Sequence, residues 1–335
     1  MNHIRLKLSL GLAAAAVAAF GVSSGAAASA HGVTESVNYG TLMVRGTKAS
    51  DKIALRLKAG DSSVIEVDAG DDGSADFSFP RSSIARIVVD GRAGNDTIRI
   101  DESNGVFEDT TPTILAGGDG NDTLSGGSGA ETLLGGRGND SIDGNRGADT
   151  GLLGPGNDTF IWDPGDGSDK VEGQRGSDTM VFNGAAAAEQ VDLSANGTRL
   201  RFFRNPGNIV MDTAGVERVD FNALGGADAV TVNDLRATAV RAVNVDLASA
   251  LGGAAGDGAA DRVTILGTDG NDRIDVSGDA GAVKVSGLAA TVKALHPEAT
   301  LDRIDINTLD GVDTVASAAL AAGTIQLFVD GALVH

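Results

Sequence analysis

Residues 117–181 read GGDGNDTLS (117–125), GGSGAETLL (126–134), GGRGNDSID (135–143), GNRGADTGL (144–152) and LGPGNDTFI (153–161). After Trp162 and Asp163 the frame resumes as PGDGSDKVE (164–172) and GQRGSDTMV (173–181). The period is nine. Glycines at fixed places allow tight turns with φ > 0, so the first six residues of each unit are expected to turn and the last three to form a short strand. The turn backbone is then carried by Gly118, Gly120, Gly127, Gly129, Gly136, Gly138, Gly147, Gly154, Gly156, Gly165, Gly167 and Gly176. Position eight holds Leu124, Leu133, Ile142, Phe160, Val171 and Met180, with Gly151 as the exception. A strand of about three residues buries nothing alone, whereas stacked coils bury a continuous apolar row. The expected fold is all-β, a right-handed parallel β-roll over residues 113–184 with β-rich flanks that are β-helical or sandwich-like.

Position six holds an acid in every unit: Asp122, Glu131, Asp140, Asp149, Asp158, Asp169 and Asp178. Each turn reverses the chain onto the opposite sheet, so turns two units apart are neighbours. One edge is expected to collect Asp122, Asp140, Asp158 and Asp178, the other Glu131, Asp149 and Asp169. Adjacent carboxylates repel unless a cation lies between them. Calcium takes carboxylate and carbonyl oxygens at about 2.3–2.6 Å. Glu131 is one methylene longer than the pattern, and Gly151 leaves a strand without its apolar residue. Tighter binding is therefore expected on the first edge, where Asp140 has an acid on either side.

These units resemble the hemolysin-type, or repeats-in-toxin, calcium-binding proteins of bacteria. FIWDPGDGSDKVEGQRGSDTMVFNG (160–184) is similar to the end of such an array in secreted members. The flanks VVDGRAGNDTIRID (88–101), ALGGADAVTVNDL (223–235) and LGTDGNDRIDVSG (266–278) carry the resemblance more loosely. It implies a parallel β-roll with calcium between coils. It implies no single activity, because such rolls accompany proteases, lipases, toxins and adhesins alike.

Residues 1–30 read as a secretory signal. Arg5 and Lys7 start it, Leu8 to Val22 are apolar, and Ala28-Ser29-Ala30 offers cleavage after Ala30. The apolar run is shorter than the roughly 20 residues of a spanning helix. A secreted, extracellular product with no membrane span in its mature form is expected. The chain has no Cys, so disulfides cannot brace it. Calcium at about ten times a site Kd would contribute about 1.4 kcal/mol per site. The formal charge is −20, and residues 117–181 hold twelve acids against four bases. That surface disfavours nucleic acid and anionic membrane.

Beyond the signal the divisions expected are a β-rich domain (31–112), the roll (113–184) and a second β-rich domain (185–335). GTKASDKI (46–53) and GRAGNDTI (91–98) are degenerate units whose acids, Asp51 and Asp96, suggest duplication. Asp96 and Asp272 are weaker metal candidates. DAGDDGSAD (68–76) has the acids of an EF-hand start, but Phe79 stands where the bidentate Glu belongs, so it reads as an acidic turn. Ala248–Ala260 reads as a mobile loop and Gly184–Glu189 as a junction. Trp162 reads as a core residue at a strand end. No catalytic constellation is found. His31 and His335 lie at chain ends, His296 sits in a loop, and GVSSG (21–25) matches the nucleophile elbow only inside the signal.

The first reading is a secreted calcium-binding module, not an enzyme, whose partner is a cell-surface or matrix component. The alternatives are a hydrolase of an extracellular polymer with its site in 185–335, and a self-associating adhesion or matrix subunit.

Overall fold

The computed structural model describes residues 31–335, so the expected signal and its cleavage after Ala30 lie outside the described residues. The described residues are strands, turns and short 3-10 segments, without α-helix. The chain divides into two compact units at Asp149/Thr150.

In the first unit the chain alternates between two sheets, giving one strand to each per coil. One sheet runs Thr34–Asn38, Thr41–Arg45, Arg86–Ala93, Thr113–Asp119, Thr132–Arg137. Its first pair is antiparallel and the others are parallel. The other runs Ser141–Asp143, Thr123–Ser125, Thr97–Asp101, Lys52–Lys58, all parallel. It ends in an antiparallel excursion, Asp61–Ala69 and Phe77–Pro80.

The second unit repeats the plan. One sheet contains Thr150–Gly156, Lys170–Gly176, Ala229–Val232, Arg262–Leu266, Arg303–Asn307 and Gln326–Val329. An antiparallel meander, Gln190–Asn196, Arg199–Asn205 and Ile209–Ala214, sits inside that parallel stack. The other sheet contains Thr159–Trp162, Thr179–Asn183, Arg218–Asn222, Ala242–Asp246 and Thr314–Leu320. It holds a second meander, Arg273–Asp279, Ala282–Ser286 and Thr291–Leu295. Strands in the flanks pair in parallel, coil upon coil, which favours the β-helical alternative over a sandwich.

Register explains the core. Ile53 pairs with Ile98, Ile98 with Leu124 and Leu124 with Ile142. In the second unit Phe160 pairs with Met180. All six apolar residues at position eight are fully buried, each burial stabilising by about 1.5–3 kcal/mol. Gly151 is not a defect. A methyl group there would stand 2.8 Å from the Phe160 ring, which fills the space. Trp162 stacks on Phe182 with centroids 3.9 Å apart, and Phe202 and Phe221 continue the cluster.

Strand lengths depart from the expectation. Thr123–Ser125 and Ser141–Asp143 have three residues, but Thr113–Asp119 and Thr150–Gly156 have seven. On that side the pairing continues through the glycines of the following turn, as Gly136 opposite Gly118 illustrates. Residues 248–260 form an excursion closed by main-chain bonds, Ser249 N–H to Ala255 O and Gly253 N–H to Ala250 O, where the sequence suggested mobility. The acidic turn at 68–76 is confirmed: Asp68 accepts the amides of Asp72 and Gly73 and pairs with Arg56 at 2.7 Å.

Candidate metal sites

In the first unit each turn acid clasps its neighbour. The amide of Asp51 donates to Asp96 Oδ1 (2.7 Å), that of Asp96 to Asp122 Oδ1 (2.7 Å), and that of Asp122 to Asp140 Oδ1 (2.8 Å). On the other edge the Glu131 amide donates to Asp149 Oδ1 (2.7 Å). The second carboxylate oxygen turns back to the first residue of its own unit. A methyl group on Gly144 would stand 2.5 Å from Asp149 Oδ2, and one on Gly46 would stand 2.7 Å from Asp51 Oδ2. The same point at Gly46 lies 2.5 Å from Gly91 O, so a carboxylate oxygen and a carbonyl converge beside one glycine. Asp96 Oδ2 and Asp122 Oδ2 are buried and have no hydrogen-bond partner.

The turns stack backbone on backbone. Gly118, Gly120, Gly136, Gly138 and Gly147 have φ between 114° and 143°. A Cβ on Gly138 would collide with Gly120 O. Gly127 and Gly129 act differently and do not take the left-handed conformation. They make room for glutamates: methyl groups on them would stand 2.6 Å from Glu108 Oε1 and 2.5 Å from Glu131 Oε1. The Ser128 amide donates to both Glu102 and Glu108 (2.8 Å each). Glu131 is therefore not a misfit. Its Oε2 accepts the Gly127 amide, its Oε1 is buried without a partner, and two further glutamates from outside the repeats join its rung.

In the second unit the Asp158 amide donates to Asp178 Oδ1 (2.9 Å) and the Asp178 amide to Glu217 Oε2 (2.8 Å). Asp178 Oδ2 is buried without a partner. It lies 2.6 Å from where a Gly173 Cβ would stand, beside Gly215 O. Asp169 is buried. Gly154, Gly165 and Gly176 have positive φ. The Gly156 carbonyl lies against Gly176, and that of Gly167 accepts the Trp162 indole N–H (2.8 Å). Asp272 is not isolated: its amide donates to Asp313 Oδ1 (2.8 Å), and its carboxylate accepts the amide of Thr268. His296 Nδ1 lies 2.8 Å from Asp246 Oδ1, in a half-buried contact.

Sequence reading missed two sets of residues. At position five, Asn95 Oδ1 accepts the Asn121 amide, Asn121 Oδ1 the Asn139 amide, and Asn157 Oδ1 the Ser177 amide. The recurring Asn-Asp pair carried that signal. The other set is Glu189, Asp261 and Asp302, buried in line with Asp228. Only Asp228 had a glycine two residues before it to mark it.

Burial raises these carboxyls, and their neighbours raise them further. Asp96 is pushed up to about 6, beside Asp122 and Asp51. Glu131 rises to about 7, beside Glu108 and Glu102. Asp178 rises to about 7, beside Asp158 and Glu217. Asp228 rises to about 8 and Asp261 to about 7.

Among the described residues no three acidic or histidine side chains close into one metal-binding cluster. The array offers instead a row of carboxylate oxygens with main-chain carbonyls beside them. That donor set is all oxygen and buried, which suits calcium. The orphaned oxygens of Asp96, Asp122, Glu131 and Asp178 are the atoms a cation would satisfy. Among the described residues no helix is long and apolar enough to cross a membrane. No match to the chain was found among curated proteins. The family of the RTX calcium-binding nonapeptide repeat (4 copies) matches residues 113–140, 125–160 and 165–184. Those repeats bind Ca2+, and residues 113–184 of this chain carry RTX-like calcium-binding nonapeptide repeats.

Proposed function

We propose that this protein is an extracellular structural or binding module whose nonapeptide array orders when calcium arrives. One observation carries the reading: Asp122 Oδ2 and Asp178 Oδ2 are buried oxygens with nothing donated to them. A bare buried carboxylate costs several kcal/mol unless a charge or donor meets it. Asp122, Asp140, Asp158, Asp178, Glu131, Asp149 and Asp169, with the turn carbonyls, would hold the ions. Calcium supplies the positive charge that lets neighbouring rungs approach; the chain supplies the stacked turns that fix the oxygens.

Residues 1–30 would direct export, with cleavage after Ala30. Free calcium is scarce inside cells and abundant outside, so ordering would follow export. The acidic repeats serve as ligands and scaffold rather than as acid–base catalysts, and the partner would be a cell-surface or matrix component. Far-UV circular dichroism of the chain from His31 onward tests the core of this reading. Strand signal should be weak in EDTA, appear with millimolar or lower calcium, and respond poorly to magnesium. A full strand spectrum in EDTA, unchanged by calcium, would falsify it.

A further inference from the structure

One turn before the meander of residues 190–214 and three beyond it lead into Gln190–Asn196, Ala229–Val232, Arg262–Leu266 and Arg303–Asn307. The residue before each strand is Glu189, Asp228, Asp261 or Asp302. These acids repeat the relation found in the array. The Glu189 amide donates to Asp228 Oδ1 (2.7 Å), the Asp228 amide to Asp261 Oδ1 (2.8 Å), and the Asp261 amide to Asp302 Oδ1 (3.0 Å). All four are at most 3 % exposed. The backbone follows too: Gly226 has φ +108°, and a methyl on it would stand 2.8 Å from Ala187 O. Yet these residues lie outside every stretch that matches the nonapeptide family, the last of which stops at 184.

A second row stands four residues earlier. Asp257 Oδ2 accepts the Gly226 amide (2.7 Å) and Glu298 Oε2 the Gly258 amide (2.7 Å). The Glu298 amide donates to Asp302 Oδ2 (2.7 Å). Asp257 thus sits under the turn that encloses Asp228.

Charge separates the first rung from the rest. Arg204 meets Glu189, with Nε at 2.7 Å from Oε1 and Nη2 on the same oxygen. Among the described residues no Lys, Arg or His forms an ion pair with Asp228, Asp257, Asp261, Glu298 or Asp302. Asp228 Oδ2 is buried within its turn and has no hydrogen-bond partner. Five carboxylates therefore share one edge with no basic group among them, and one of their buried oxygens faces nothing. Strands in a sheet are about 4.8 Å apart, so consecutive rungs bring their oxygens within reach of one ion.

We infer that this edge is a second calcium site, separate from the nonapeptide array, with Asp228 and Asp261 as its principal ligands and Asp257, Glu298 and Asp302 around them. Calcium fits better than magnesium because oxygens supplied by turns of different coils suit a large, flexible coordination shell. At the first rung Arg204 supplies the positive charge through Glu189 Oε1, while Glu189 Oε2 is buried without a hydrogen-bond partner. The inference does not rest on the array's binding calcium, since its residues belong to other turns.

Two measurements on the full chain test it. Metal content after gel filtration in calcium should fall by at least one ion per chain in the double variant Asp228→Asn, Asp261→Asn. Asn keeps the Oδ1 acceptor, so the fold should survive, with the circular dichroism in calcium unchanged. Hydrogen exchange of the unaltered protein gives the second readout. Calcium should slow exchange in peptides covering 222–232 and 255–264 as well as 113–184. An unchanged ion count in the double variant, or calcium protection confined to 113–184, overturns the second site and leaves the array intact. Protection of 222–264 without any in 113–184 overturns the array reading instead.

Discussion

Two rows of carboxylates use one contact at different intervals. Asp51, Asp96, Asp122 and Asp140 stand 45, 26 and 18 residues apart. Glu189, Asp228, Asp261 and Asp302 stand 39, 33 and 41 apart. In the first row the interval closes to two nonapeptides, and a motif becomes visible. In the second, meanders and loops lengthen each coil without disturbing the amide-to-carboxylate contact. The turn is therefore defined by what its acid reaches in the next coil, not by the period. The rows also differ in charge, since Arg204 anchors one end of the second.

Removing calcium should split the rows most sharply. With four or five ions at about 1.4 kcal/mol each, EDTA should cost on the order of 6 kcal/mol in urea unfolding. Exchange monitored by mass spectrometry should place the earliest opening in 113–184, where repeat units are shortest. Uniform opening of the chain would erase the distinction. Next in size is Arg204→Met. It strands a fully buried Glu189 carboxylate, and EDTA-treated protein should lose about 3–5 kcal/mol. A smaller loss in calcium would mean that an ion takes over from the guanidinium; equal losses would mean that the two charges are not interchangeable.

Gly138→Ala tests stacking alone. Gly138 has φ +123° and its Cβ would strike Gly120 O, so strain and overpacking should cost about 2–5 kcal/mol. Gly60→Ala, at φ +75° with open space around it, should cost about 1 kcal/mol. Comparable losses would show that turn geometry, and not the stack, governs both. Within the array, Asp140→Ala should reduce calcium uptake in calorimetry more than Glu131→Ala, because Glu102 and Glu108 remain beside the second. Equal losses would remove the difference between the edges.

The last comparison is by pH. Carboxyls raised to between about 6 and 8 in the fold, as in Asp96, Glu131, Asp178, Asp228 and Asp261, hold protons that the unfolded chain has released. Their contribution is complete below about pH 4 and fades as pH rises through 6 to 8. In EDTA, Tm should climb as pH is lowered from 8 to 5.5. In calcium the trend should flatten or reverse, because protons compete with the ion. Parallel trends in both media would disconnect these carboxyls from the metal.

The array was legible because position six keeps an acid in all seven units and position eight an apolar side chain in six. Asp122 meets Asp140, Glu131 meets Asp149 and Asp158 meets Asp178, as the two-unit spacing implies, and the apolar row is the core. The second row was illegible for a physical reason. Only the turn before Asp228 keeps the left-handed backbone, at Leu224 (φ +67°) and Gly226 (φ +108°); before the other acids Ala187, Ala259 and Thr300 stand where a glycine is expected, and none of them takes a positive φ. A local motif search sees none of this, because the interaction is set by pairing across coils. Glu189 looked like part of a junction for the same reason. Glu131 looked too long because Glu102 and Glu108, which share its rung, lie outside the periodic stretch.

The aromatic content has a practical consequence. Trp162 is the one tryptophan, sealed against Phe182 in the second unit, and Tyr39, the one tyrosine, is fully exposed in the first. Emission excited at the red edge therefore comes from a single indole. Its wavelength reports whether that aromatic stack is closed, so the chain carries a built-in optical gauge and needs no dye.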